Sequence, residues 1–119
     1  MFIKEASELT GATQRAIRLY ESLGLLEVSR SGKYRVYNDA NINLIKIIKE
    51  GQKLGIQLSE MVSLKKGQEE FDWQVVRNFL IEKEHDVEAE IQRLKAQKTE
   101  IQNYRESITF CLEGVDSHL

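Results

Sequence analysis

The apolar positions of this chain change period along its length, and each change marks an element. Ile3, Ala6 and Leu9 recur at helical spacing and predict a first helix over residues 3–9, with these three side chains turned inward. Gly11 follows, the residue type that a tight turn takes because it tolerates positive φ. Ala16, Leu19, Tyr20 and Leu23 then stand at i, i+3, i+4 and i+7. That spacing predicts the inward face of a second helix over residues 13–23, with Thr13 as N-cap and Gly24 as the C-terminal stop. Val28 and Val36 lie around Arg30-Ser31-Gly32-Lys33 and predict short strands of a hairpin within residues 25–37. Helical spacing returns after Asn38 and Asp39, either of which suits the cap of a third helix over residues 41–54, rich in Ile42, Ile45, Ile47 and Ile48. Gly55 ends it, a short fourth helix is expected over residues 58–64, and Lys65-Lys66-Gly67 reads as a break.

The second half has a different grammar. Residues 72–113 contain neither Gly nor Pro, which predicts one helix of about 40 residues and ~60 Å. Asp72 is a good N-cap, Phe71 and Val76 occupy the two positions of a hydrophobic staple, and Gly114 marks the stop. Val87, Ile91, Leu94, Ile101 and Ile108 fall on a 4-3 stripe interrupted by Lys98 and Arg105, polar residues of the kind that set register or snorkel. A stripe of that length stays exposed to water unless another surface covers it. Those five apolar residues, with Leu80, are the positions such a surface would cover.

With Leu19 and Tyr20 turned inward, Gln14, Arg15 and Arg18 point outward from the first turns of the second helix. Gln and Arg are the side chains whose donors match base edges, so a helix presenting them at its N-terminal end fits a major groove. Charge sharpens the reading. Residues 1–66 hold 11 Lys or Arg against 7 Asp or Glu, a balance of +4, whereas residues 67–119 balance at −6, giving the −2 of the whole chain. Nucleic-acid binding therefore belongs to the first half and not to the second.

Other classes recede. No apolar run approaches the ~20 residues of a membrane span, and no signal-peptide pattern opens the sequence, so a cytoplasmic location is expected. A single cysteine, Cys111, makes no internal disulfide. It also falls short of the two or more soft ligands of a closed thiolate site, and His85 and His118 lie elsewhere; no metal or other cofactor is expected. No nucleophile–base motif, phosphate loop or paired-carboxylate signature occurs, so no enzymatic activity is expected. The residues beyond the long helix leave no room for a separate effector domain.

Five fragments in order carry a family resemblance: Leu9-Thr10-Gly11, Ala16-Ile17-Arg18-Leu19-Tyr20-Glu21, Gly24-Leu25-Leu26, Tyr34-Arg35-Val36-Tyr37 and Leu54-Gly55-Ile56-Gln57-Leu58. Over residues 3–61 the chain resembles the MerR family of bacterial transcription regulators. The resemblance implies a mainly α fold: a winged helix-turn-helix with a helical second wing over residues 1–70, then a dimerisation helix and short tail over residues 71–119, forming an antiparallel coiled coil. It implies a homodimer on a pseudo-palindromic promoter element in double-stranded DNA. By distorting an over-long spacer, that dimer lets RNA polymerase engage both promoter boxes. Departures from the family pattern are Leu19 in place of a common aromatic, Lys33 in place of a glycine, and Gln57 in place of a Ser or Thr cap.

The candidate DNA contacts are Thr13, Gln14, Arg15, Arg18 and Tyr20 on the second helix, and Lys33, Tyr34, Arg35 and Tyr37 on the wing. Tyr20 is expected to place its ring in the core with its hydroxyl within reach of a phosphate, while Tyr34 and Tyr37 suit wing packing and recognition equally. Arg35 suits a phosphate through its forked donors, with bracing of the wing as the other reading. Two rival functions remain at this level: an excisionase-like architectural protein that bends DNA, and a coiled-coil interaction module.

Overall fold

The structure is a computed structural model that describes residues 1–67 and 70–114; the expected tail with His118 lies outside the described residues. The element order is α1 (Ile3–Thr10), α2 (Gln14–Ser22), β1 (Ser29–Ser31), β2 (Tyr34–Val36), α3 (Asp39–Lys53), α4 (Leu58–Ser63) and α5 (Trp73–Glu113). By its internal contacts the chain divides into two compact units, Met1–Val76 and Arg77–Leu119.

In the first unit, α1 stops at Gly11, whose φ of 75° lets its N–H turn back to the Ser7 carbonyl at 2.9 Å. A side chain there would meet strain from the backbone and crowding from Lys49, whose Nζ lies 3.0 Å from where a Cβ would stand. Thr13 opens α2 as expected, its Oγ1 accepting the Ala16 N–H at 3.0 Å. The inward face of α2, however, is Ile17 and Tyr20, with Leu19 46% exposed and Leu23 also on the surface. The expected face was therefore displaced by one residue, roughly 100° around the helix. The sequence permits either phase because apolar residues stand at 16, 17, 19, 20 and 23; Leu25 and Leu26, just past the helix, are buried with Ile17 in the core of the head. Leu9, expected inward, is 55% exposed, and Ile3 is only half-buried; of the first helix's assigned face, Ala6 alone is in the core.

The hairpin is smaller than expected. β1 and β2 are three residues each and antiparallel, pairing Ser29 with Val36, Arg30 with Arg35 and Ser31 with Tyr34. Arg30 and Ser31 are strand residues and Val28 lies just outside, so the turn is Gly32-Lys33 alone. Gly32 has φ +63° and Lys33 does not share the positive sign, the pattern of a type II′ hairpin turn. Met1 and Tyr37 exchange backbone hydrogen bonds at 2.7 and 2.9 Å, which ties the start of the chain to the base of the wing.

Of the two expected caps Asn38 is the one used, and α3 begins at Asp39, two positions before the expected start. Its Oδ1 accepts the Asn41 N–H at 2.8 Å, and Asn41 Oδ1 accepts the Asn38 N–H at 3.0 Å. Asn41 is fully buried yet satisfied, since its Nδ2 also donates to the Glu27 carbonyl at 2.9 Å. One amide thereby fixes α3 against the segment that leads into the wing. Ile42, Leu44, Ile45 and Ile48 fill the core beneath, whereas Ile47 lies on the surface. Gln57 precedes α4, and its N–H donates to Glu60 Oε1 at 2.9 Å. Lys65 reaches back with Nζ to the Leu25 carbonyl at 3.1 Å, and Asp72 donates its N–H to the Leu64 carbonyl at 2.9 Å.

The expected long helix is present as α5, 41 residues that end at Gly114 with φ +70°. At its start Asp72 Oδ1 accepts the Val75 N–H at 3.4 Å, and Phe71 is buried. Along the helix none of the described residues is buried.

Candidate nucleic-acid interface

Turning α2 by one residue changes what its outer face presents. Arg15, Arg18, Leu19 and Ser22 stand at i, i+3, i+4 and i+7 and all are exposed, so the face opposite Ile17 and Tyr20 carries two arginines with an apolar side chain beside them. Gln14, the first helical residue, is half-buried, and Thr13 spends its hydroxyl on capping. Among the described residues, Arg15 and Arg18 enter no ion pair. Leu19 is absent from the candidates because the expected phase places it in the core, whereas it is 46% exposed.

The wing lies beside this face. Arg18 lines one shallow cleft together with Phe2, Ile3, Lys33, Tyr34 and Arg35, which gathers three cations from the helix and the hairpin around two exposed aromatic rings. Tyr34 is 59% exposed; its ring stands 5.9 Å from that of Phe2 and 5.7 Å from Lys33 Nζ. The N-terminal residues thus support the wing through Phe2 as well as through the Met1–Tyr37 backbone pair. Three positive charges around an open cleft suit the phosphates that flank a groove.

Two expected contacts are elsewhere. Tyr20 is buried and its hydroxyl donates to Gln52 Oε1 at 2.7 Å, so the hydroxyl assigned to a phosphate is used to join α2 to α3. Tyr37 is 1% exposed, and among the described residues its hydroxyl has no hydrogen-bond partner. Burial raises the pKa of both phenols. For Tyr37 the Glu21 carboxylate raises it further, against the pull of Arg35, Arg18 and Arg30. These two tyrosines are core residues of the head, not part of its exposed surface.

Arg35 is partly committed as well. Its Nε donates to both carboxylate oxygens of Glu21 at 3.1 Å, and Arg30 Nη2 lies 3.7 Å from the same carboxylate. Bracing of the wing, the second reading of Arg35, is what the contacts show, and four guanidinium N–H groups remain beyond the one bound to Glu21. Neither Arg30 nor Glu21 was among the candidates. Arg30 sat inside what read as a turn, and the Glu21–Arg35 contact spans 14 residues that no local pattern connects.

A basic helix-turn-helix whose second helix is flanked by a two-stranded wing defines a winged-helix DNA-binding head. Comparisons with known proteins identify which one. Residues 1–66 match the family described as MerR HTH family regulatory protein, and residues 42–104 match MerR, DNA binding. The chain belongs to the MerR family of transcriptional regulators and carries that family's DNA-binding domain.

Among relatives, it is 33% identical to the mercuric resistance operon regulatory protein of Bacillus cereus over 97 residues, 78% of this chain and 74% of that protein. It is 27% identical to the transcriptional regulator CueR of Escherichia coli over 106 residues, 85% of this chain and 78% of that one. With the regulator HmrR of Sinorhizobium medicae it shares 32% over 66 residues, 54% of this chain but 45% of HmrR. The chain therefore spans less than half of that relative's length. Of solved structures, the transcription regulator PbrR691 from Ralstonia metallidurans, in complex with lead(II), matches with a TM-score of 0.69 at 23% identity over 89% of this chain and 86% of that one. That likeness concerns the fold, a helical head with a small wing and a long helix. Among the described residues no helix is long and apolar enough to cross a membrane.

Proposed function

We propose that this protein acts in the cytoplasm as a homodimeric transcription regulator, and not as an enzyme, binding a pseudo-palindromic promoter element and distorting its spacer for RNA polymerase. Residues 1–70 form the head and residues 71–119 the dimerisation segment. The observation that carries the reading is the exposed Arg15–Arg18–Leu19 face of α2 beside the cations of the wing. Gln14, Arg15 and Arg18 read base edges, while Lys33, Tyr34 and Arg35 hold the sugar–phosphate backbone. Two heads reach successive major grooves about 34 Å apart. An antiparallel pairing of α5 through Leu80, Val87, Ile91, Leu94, Ile101 and Ile108 puts one head at each end, whereas a parallel pairing would place both at the same end.

The test is a gel shift on the DNA upstream of the gene, with random duplex as reference. Arg15→Ala is expected to weaken operator binding by ~1–3 kcal/mol and to relax the preference at one position per half-site. Loss of a wing contact should instead weaken all sequences alike. An equal loss on operator and random DNA for Arg15→Ala would remove α2 from base reading. No resident metal is part of the proposal. The sequence holds one cysteine, Cys111, whereas closed thiolate sites take two or more soft ligands. Cys111→Ser is expected to leave operator affinity unchanged, and zinc binding at one ion per subunit abolished by that substitution would overturn this part.

A further inference from the structure

The wing sets two arginines directly opposite one another, Arg30 on β1 and Arg35 on β2. Opposed like charges on one face of a hairpin repel and destabilise the pairing. Glu21, on α2, offsets that repulsion. Its side chain is 22% exposed, takes Arg35 Nε on both oxygens at 3.1 Å, and lies 3.7 Å from Arg30. The three side chains form one cluster whose net charge is +1, although two cations stand on the wing.

We propose that Glu21 is a positioning and specificity-determining residue: an internal counter-ion that holds the Arg30–Arg35 pair to the strength of one phosphate contact. The proposal rests on the DNA-binding reading above. The physical argument is competitive. A carboxylate fixed against a guanidinium occupies the donors and the charge that a phosphate would otherwise engage. Backbone contacts add affinity for every sequence and so carry no discrimination. Limiting them leaves a larger share of the binding free energy with α2, where Arg15 and Arg18 face outward. Glu21 also ties the wing to the recognition helix, so the cations of the wing are held in register with the bases that α2 would read.

Counter-ion release makes the cluster's effective charge measurable, since each neutralised phosphate contributes ~0.9 to the slope of log K against log salt. The experiment measures binding of the full-length protein to operator and to random duplex between 50 and 200 mM KCl. Glu21→Gln is expected to steepen the slope by ~0.9 per head, an extra loss across that range of about 3.5-fold per head and about 12-fold for the dimer. It should also tighten binding to random DNA at low salt and lower the operator-to-random ratio. Glu21→Asp, which keeps the charge, should keep the wild-type slope. Equal slopes for wild type and Glu21→Gln, or equal changes for Gln and Asp, overturn the proposal. Should Glu21→Gln fail to fold by circular dichroism, Glu21→Gln/Arg30→Gln/Arg35→Gln, which removes all three charges and so the whole +1 of the cluster, reads the same quantity. A slope lower by ~0.9 per head supports the proposal, and one lower by ~1.8 overturns it. Failure of the wild type to bind either duplex would instead defeat the DNA-binding reading itself.

Discussion

The head and the long helix solve the same problem in opposite ways. In the head, helices of 6 to 15 residues are too short to stand alone and gain their stability by burying Ile17, Leu25, Ile45, Ile48 and their neighbours against one another. The long helix has 41 residues, enough to be helical by propagation, and among its described residues none is buried. Its apolar stripe is open: Ile91 is 40% exposed, Leu94 49% and Ile101 60%. A head that has finished packing and a helix that has not differ in what a substitution does. In the first, an apolar loss is read as instability of one chain. In the second, it is read as loss of whatever covers the stripe, which the proposed function makes a second copy of this helix.

The largest expected effect tests that distinction. Burying each stripe side chain contributes roughly 1.5–3 kcal/mol, and a carboxylate in its place is desolvated against an apolar partner. Leu94→Asp is expected to sediment as a monomer with its head still folded, and to lose nearly all operator affinity because one half-site offers too few contacts. A monomer that binds the full operator as tightly as the wild type would separate the helix from the function of the head.

Within the head the effect is smaller and of a different kind. Ile17→Ala removes a fully buried side chain at the centre of the core and is expected to cost ~2–5 kcal/mol in chemical denaturation. Leu9→Ala, on a side chain the pattern places inside and the structure leaves 55% exposed, is expected to stay within about 0.5 kcal/mol. Comparable losses at the two positions would restore the expected phase of α1 and contradict the burial seen here.

These residues also show what a sequence makes legible. The extent of α5 follows from the missing Gly and Pro and from Gly114, so its ends were readable to within a residue. The caps are local chemistry and were readable too, Thr13 outright and Asn38 as one of two neighbouring candidates. The phase of α2 was not, because Ala16, Ile17, Leu19, Tyr20 and Leu23 support two faces, and the periodicity within the helix does not choose between them. That one-residue error displaced Leu19 from the outer face and left Ile17 off the inner one. The Glu21 cluster was out of reach for a stronger reason: it exists only once the hairpin brings residues 30 and 35 back to residue 21. Residues that act through local geometry were found, and those that act through tertiary return were not.

The smallest effect compares two tyrosines inside the head that share burial but differ in partners. Tyr20 donates its hydroxyl to Gln52, an exposed side chain, and Tyr20→Phe leaves an oxygen that water can reach. A loss of about 0.5–1.5 kcal/mol is expected. Tyr37 buries a hydroxyl with no partner among the described residues, so Tyr37→Phe removes an uncompensated polar group and is expected to stabilise by about 1 kcal/mol. The pH dependence follows from the raised pKa of Tyr37, which burial causes first and the Glu21 carboxylate second. Above the ordinary phenol value of 10.0 the unfolded chain releases a proton that the folded head still holds. Stability is therefore whole below about pH 10 and falls as pH climbs through the raised value, since the native state then binds more protons than the unfolded one. Urea titrations at pH 8 and at pH 10.5 should show Tyr37→Phe gaining more over wild type at the higher pH. A gain that shrinks with rising pH would place the Tyr37 hydroxyl in contact with a donor that stabilises its anion.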